Sequence, residues 1–272
     1  MSEKRETINK ILVVDNNPVV TQFMVNRLEK EGYDVRSAET GLSALNILQS
    51  FIPDVIFIDL VMPNISGEKL CRIIRDTPEL KNVFIVIISG VAKEQEIDFV
   101  DLGANACIAK GPFNRFAENI FYVLDQFQKK NENEISNQVI GIDDIYERET
   151  AKELLSSRKH FEIILSNISD GIFELSQKAK VVYANAAAIA FMDLHETKLL
   201  GSNFIELFHR KADRKKIEDL LDKIGDDPLA ITADTPLLHG GKQFALQISP
   251  VIYKGNHSFI VIMRDITDHK TD

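Results

Sequence analysis

The sequence predicts an N-terminal α/β domain on a doubly wound, five-stranded parallel sheet, then a helical linker, then an α+β domain with an antiparallel sheet. Three observations carry this. Short, wholly apolar runs alternate five times with helical patterns over the first ~120 residues, the mark of strands buried on both faces by right-handed crossovers. A polar stretch, Gln128-Lys129-Lys130-Asn131-Glu132-Asn133-Glu134, separates this region from the C-terminal half. In that half, apolar residues alternate with period two and are joined by hairpin-length turns.

In the first domain, residues 9–128, four apolar runs end on residues with chemistry. Ile11-Leu12-Val13-Val14 leads into Asp15, Val55-Ile56-Phe57-Ile58 into Asp59, Val83–Ile88 into Ser89, and Ala106-Cys107-Ile108-Ala109 into Lys110. Helical spacing places Val20, Phe23, Met24 and Leu28 on one face of a helix over 18–30, and Ala44, Leu45 and Leu48 on one over 41–50. It does the same for Leu70, Ile73 and Ile74 over 67–75, for Ile97 and Val100 over 93–102, and for Phe116, Ile120, Val123 and Phe127 over 113–127. The carboxyl ends of parallel strands gather in one crevice. Two carboxylates, a hydroxyl and an ammonium should therefore meet there, a set suited to metal-assisted phosphoryl transfer onto a carboxylate.

In the linker, residues 129–161, Ile135, Val139, Ile142, Ile145 and Tyr146 recur at steps of three and four, with a break near Gly141. Leu154, Leu155, Phe161, Ile164, Leu165 and Ile168 continue the pattern more loosely. This reads as a helix with an apolar stripe, either a dimerising, signal-carrying coiled coil or a helix packed on its own domain. In the last domain, residues 162–268, strands at 172–175 and 181–183 flank a short loop, and Asn185 caps an Ala-rich helix. A helix over 210–224 turns Ile217, Leu220, Leu221 and Ile224 inward. Three strands come after it, with His239-Gly240-Gly241-Lys242 as a turn and 259–263 as the last strand.

Bulk properties narrow the function. The chain has 272 residues, 44% of them hydrophobic, enough for two cores. A net charge of −9 argues against a nucleic-acid surface. No apolar stretch approaches the ~18 residues that span a bilayer, and the N-terminus lacks a signal-peptide core. Cys71 and Cys107 are the only cysteines, so neither a disulfide framework nor a zinc knot is expected. The expectation is a cytoplasmic protein without nucleic-acid partners or membrane insertion.

Four motifs in order, Ile11-Leu12-Val13-Val14-Asp15-Asn16-Asn17-Pro18, Asp59-Leu60-Val61-Met62-Pro63, Ser89-Gly90 and Lys110-Gly111-Pro112, make the first domain resemble the receiver domain of two-component response regulators, with its flavodoxin-like fold. The resemblance implies that Asp59 accepts a phosphoryl group from a histidine kinase, a phosphotransfer protein or a small phosphodonor. A carboxylate, already ionised, needs no base for this. Asp15, Asp59 and the backbone carbonyl of Val61 would hold Mg2+, a hard cation suited to oxygen ligands. Lys110 would pair with the phosphoryl oxygens and Ser89 would donate its hydroxyl to them.

Three positions depart from that pattern. Asn16 replaces a second metal-binding acid and should weaken Mg2+ binding. Cys107 replaces a switch aromatic and is expected to pack in the core. Gly111 separates Lys110 from Pro112, so no cis bond is expected directly after Lys110, and the Gly111–Pro112 bond could take either isomer.

Asp170-Gly171-Ile172-Phe173-Glu174-Leu175, Val182–Ala188, Leu200–Phe204 and Met263–Thr267 make the last domain resemble a PAS domain, a sensory or dimerising module. Phe204 stands where the blue-light subgroup carries cysteine, which excludes a covalent flavin photocycle. His195, His209, His239 and His257 are available as haem ligands, His209 being best placed, or are simply solvated or capping. A filled core without ligand is preferred.

The expected function is a non-enzymatic phosphorelay protein that signals by protein–protein contact, with a homodimer through linker and PAS domain. Two alternatives stand beside it. One is the front of a hybrid histidine kinase, since PAS domains ending in this way commonly lead into one. The other is a receiver that only docks partners.

Overall fold

The computed structural model describes residues 8–92, 98–130, 135, 138–144, 149–224, 230–233, 235–253 and 256–267. The chain divides into two units, Met1–Ser156 and Ser157–Asp272.

The first unit shows the predicted alternation: β1 (Lys10–Val14), α1 (Pro18–Lys30), β2 (Asp34–Ala38), α2 (Gly41–Leu48), β3 (Val55–Asp59), α3 (Gly67–Asp76), β4 (Phe84–Ser89), β5 (Ala106–Ala109) and α4 (Phe113–Gln128). A sixth strand, β6 (Val139–Ile140), completes its sheet, which is parallel throughout in the order β2-β1-β3-β4-β5-β6. The residues of β3, β4 and β5 are all buried, which is why their sequences are continuous apolar runs rather than alternating ones. Ile11, Val13, Met24, Leu28, Phe57, Val86, Ile108, Phe116, Ile120 and Val123 share one core. Capping explains where helices begin. Asn17 accepts the Val19 and Val20 amides ahead of Pro18 in the first turn of α1, and Thr40 and Ser43 form a capping box on α2.

The sequence led to two expectations that the structure corrects. The sheet has six strands rather than five, β6 lying in register with Cys107 and Ile108 of β5 and running into a 3-10 turn at Ile142–Asp144. The described linker residues 138–144 thus form a strand and a 3-10 turn rather than part of an α-helix. Ile135 is fully buried in the first core, Ile140 packs against that core, and Val139 packs against Ala92 and Ala109. Burying one such aliphatic side chain is worth about 1.5–3 kcal/mol, enough to draw a short segment onto the sheet edge in place of a helical turn. Ile145 and Tyr146 lie outside the described residues. The helix expected over 93–102 falls partly outside them too, and its described end, Phe99–Gly103, is a turn.

The linker becomes helical at α5 (Glu149–Ser166). The second unit then builds β7 (Gly171–Ser176), β8 (Val181–Ala184), α6 (Ala186–Met192), α7 (Glu196–Leu199), α8 (Lys211–Lys223), β9 (Ile231–Thr232), β10 (Leu237–His239), β11 (Lys242–Tyr253) and β12 (Asn256–Asp265). The antiparallel path is β10-β11-β12-β7-β8, with the two-residue β9 added on β11. Phe173, Leu175, Phe204, Phe208, Ile217, Phe244, Leu246, Ile248, Val261 and Met263 are buried. Asn185 caps α6 as expected and does more. Its side-chain oxygen accepts from the Ile172 and Ala188 amides, and its amide group donates to the Leu165 and Asp170 carbonyls. Arg264 forms a two-pronged pair with Asp170, so the first and last motifs of this unit meet.

Candidate functional site

Strand order reverses between β1 and β3, and such a switch point opens a crevice at the carboxyl ends of the strands. Asp15 lies just past β1, and Asp59 is the last residue of β3. Lys110 comes after β5 and brings its ammonium to both carboxylates, 2.7 Å from Asp15 Oδ2 and 3.0 Å from Asp59 Oδ1. Asp15 is fully buried and Asp59 nearly so. Burial pushes the Asp59 carboxyl above its usual range; Lys110 pulls the other way, and Asp15 adds to the rise. Two acidic side chains thus face one ammonium.

Local structure fixes each group. The Asn17 amide donates to Asp15 Oδ1 at 2.8 Å, and the Thr21 hydroxyl donates to the Asp15 carbonyl at 3.0 Å, so the first turn of α1 holds Asp15. The Val61 amide reaches Asp59 Oδ1 at 3.4 Å. Asn64, at φ 64°, turns the loop after β3, in a conformation Asn tolerates. Ser89 is buried at the end of β4, opposite Ala109 in the register, and its hydroxyl oxygen accepts the Val91 amide at 3.2 Å. The Lys110 amide donates to the Ser89 carbonyl at 2.8 Å, which ties the ends of β4 and β5 together.

Asp15, Asp59 and Lys110 are thus in contact, with Ser89 on the neighbouring strand end. Asn16 is exposed at the rim. Cys107 is fully buried, and burial pushes its thiol up to about 12, as for Cys71. The Gly111–Pro112 bond is trans.

Gly67 does not stand out in the sequence and is nonetheless a site residue. A Cβ there would lie 2.2 Å from the Asp59 carbonyl oxygen, so the start of α3 packs directly on the backbone that carries Asp59. A Ser-Gly pair opening a helix gives no sign of that approach.

The donor set suits a hard divalent cation. Asp15 Oδ2 is buried and accepts no hydrogen bond of good geometry, although Lys110 lies beside it. With Asn16 in place of an acid, no cluster of three or more acidic, His or Cys side chains forms among the described residues. Asp15 and Asp59 remain as adjacent carboxylates, oxygen donors of the kind such a cation takes.

In the second unit, His209 is exposed and stacks on His239 ahead of α8, while His195 Nδ1 meets the Thr197 hydroxyl. Phe204 is buried against Phe173 and Phe208. Asp213 is buried beside Ile217 and Leu220 on the inner face of α8, a carboxylate that the apolar pattern did not place there.

Residues 11–118 match the family model of the response regulator receiver domain, and residues 159–266 match that of the PAS fold. A curated relative, "Probable transcriptional regulator ycf27" of Guillardia theta, is 32% identical over 109 residues, which cover 40% of this chain and 42% of that protein. The chain therefore spans less than half the length of that relative. Among solved structures, the chemotaxis response regulator CheY4 of Vibrio cholerae is 28% identical over 44% of this chain and 99% of its own, with a TM-score of 0.41. The PAS domain of an HTR-like protein from Haloarcula marismortui is 19% identical over 43% and 98%, with a TM-score of 0.37.

The chain carries a receiver domain followed by a PAS domain, an architecture of two-component signalling. Neither kind of domain is itself an enzyme. Receiver domains generally bind Mg2+ at their acidic pocket and interact with histidine kinases or phosphotransfer proteins. No helix among the described residues is long and apolar enough to cross a membrane.

Proposed function

We propose that Asp59 accepts a phosphoryl group from a phosphohistidine on a kinase or phosphotransfer protein, and that the receiver passes the change to the PAS domain through the intervening segment. The observation that supports this most is the contact of Lys110 with both Asp15 and Asp59 at the switch point of the sheet. In the transfer, an Asp59 carboxylate oxygen attacks phosphorus, an O–P bond forms, and the P–N bond to the donor imidazole breaks. The electron pair leaves with that nitrogen. Lys110 neutralises phosphoryl oxygens as they approach, and the Ser89 hydroxyl donates to one of them after transfer. Asp15, Asp59, the Val61 carbonyl and, weakly, Asn16 would hold Mg2+, which when bound would supply charge screening between the anions that must meet.

Output in this reading is protein–protein contact, including a homodimer through α5. Phe161 (63% exposed) and Ile164 (45%) lie three apart on that helix, and Ile168 (37%) comes just past its end. A stripe of that kind is suited to a second copy. The test is intact mass after incubation with acetyl phosphate and Mg2+, beside an Asp59→Asn control. One phosphoryl adduct that disappears in the control is expected.

The acid lost at Asn16, which leaves no cluster of three or more acidic, His or Cys side chains among the described residues, favours one competing reading, in which the pocket docks partners without chemistry. The absence of an adduct at any Mg2+ concentration, with a kinase-bound donor as well as acetyl phosphate, would support it instead.

A further inference from the structure

We propose that the edge of β5 is a binding site for the chain's own Val139–Ile140, and that phosphorylation of Asp59 releases this segment. The inference rests on the reading of Asp59 given above. The edge of a sheet offers a row of unsatisfied amides and carbonyls and is normally covered or blocked. Here the cover is β6, held by only two register pairs, Cys107 with Val139 and Ile108 with Ile140. The pleat sends the two side chains to opposite faces. Ile140 packs with the main core, which includes Ile108 and the fully buried Ile135, whereas Val139 packs against Ala92 and Ala109. Both strand residues are only half-buried. Ile135 is the fixed anchor and β6 the detachable part.

The contacts of Val139 belong to the segments that carry the phosphoryl-binding groups. Ala109 precedes Lys110 and stands opposite Ser89 in the register. Ala92 lies three residues after Ser89, beyond Val91, whose amide is bonded to the Ser89 hydroxyl oxygen. In the phosphorylated state of this proposal the Ser89 hydroxyl turns toward a phosphoryl oxygen on Asp59, and the turn from Ser89 to Ala92, tied to it through the Val91 amide, moves with it. Ala92 then leaves Val139, whose cluster on that face consists, among the described residues, of Ala92 and Ala109. Cys107 is the position where the resemblance implied a switch aromatic, and its strand partner is Val139. A detachable strand thus stands beside the place of a missing rotating ring. Because β6 lies in the chain between α4 and α5, its release changes the segment that leads to the PAS domain.

The test is hydrogen exchange with mass spectrometry on the full chain, with and without beryllofluoride and Mg2+. The expected result is slower exchange in the peptide containing Asp59, and exchange at least about tenfold faster at residues 138–141. Slower exchange at Asp59 with unchanged or greater protection at 138–141 overturns the release and leaves the phosphoacceptor reading intact. No change in either peptide overturns both. A Val139→Ser variant supplies an independent arm. It should show fast exchange at 138–141 without beryllofluoride, while the receiver keeps its thermal transition through Ile135 and the core. Retained protection in that variant would show that packing on Ala92 and Ala109 does not hold the strand.

Discussion

Replacing Gly67 with alanine should damage both the stability of the receiver and its chemistry. The new Cβ would sit 2.2 Å from the Asp59 carbonyl oxygen and 2.8 Å from the Leu60 Cα. Real Cβ atoms essentially never come within 3.0 Å of another heavy atom. Both neighbours are backbone, so α3 and the end of β3 must separate by about 1 Å, an overpacking change that costs about 1–3 kcal/mol. Alanine's better helix propensity offsets at most about 1 kcal/mol of this, and less at the first position of a helix. A net loss of about 1–2 kcal/mol lowers the melting temperature of a domain of this size by roughly 2–8 °C. The same displacement moves Asp59 against Lys110, and a misplacement of about 1 Å can cost up to ~100-fold in rate.

Calorimetry of the full chain, paired with the rate of phosphorylation by acetyl phosphate, reads both effects. Gly32→Ala is the control. It has φ of +92° with nothing within 4 Å of the added Cβ, so it should cost stability through backbone strain and leave the rate unchanged. An unchanged melting temperature and rate in Gly67→Ala would refute the close approach of α3 to Asp59.

Three further outcomes are expected from the same structure. Asn16→Asp should tighten Mg2+ binding, measured by titration calorimetry. Against a divalent cation, one added charge at ~4 Å is worth about 2 kcal/mol in water and about 8 kcal/mol at an effective dielectric of 20. The exposure of Asn16 places the gain toward the lower figure, roughly 30-fold. Asn185→Ala removes the cap of α6 and three further hydrogen bonds, and should cost the PAS unit about 2–4 kcal/mol in denaturant unfolding; a loss below about 1 kcal/mol would contradict the bonding described. Hydrogen bonds from Thr267 and Lys242 hold the Asp265 carboxyl down at about 2. The stability this adds is present above the ordinary aspartate value of 3.8 and is lost as pH falls toward 2. Asp265→Asn should therefore flatten the acid limb of PAS unfolding.

How far the sequence reveals the protein depends on how many residues carry each signal. Buried parallel strands write continuous apolar runs, so β1, β3, β4 and β5 are visible, and with them the residues at their ends. The crevice that joins Asp15, Asp59 and Lys110 results from strand order alone. Strand β6 is hidden because two residues cannot establish a period, and Ile135, Val139 and Ile142 fit helical steps equally well. Its cause is tertiary: the anchoring of Ile135 in the core and an edge that needs covering. Gly67 is hidden because its role is the absence of an atom. Asp213 is hidden because apolar patterning assigns a charged residue outward. Asn185 is legible as a cap, but its bonds to Leu165 and Asp170 come from distant parts of the chain.

Chemical trapping identifies whether Asp59 is the residue phosphorylated. Borohydride reduces an acyl phosphate to the corresponding alcohol, so a phosphorylated aspartate becomes homoserine. After incubation with a phosphodonor and Mg2+, then reduction and peptide sequencing, homoserine is expected at position 59 alone and nowhere when Lys110 is replaced by alanine. Homoserine at another aspartate, or a phosphoryl group retained on a histidine with Asp59 unmodified, would contradict phosphorylation at Asp59.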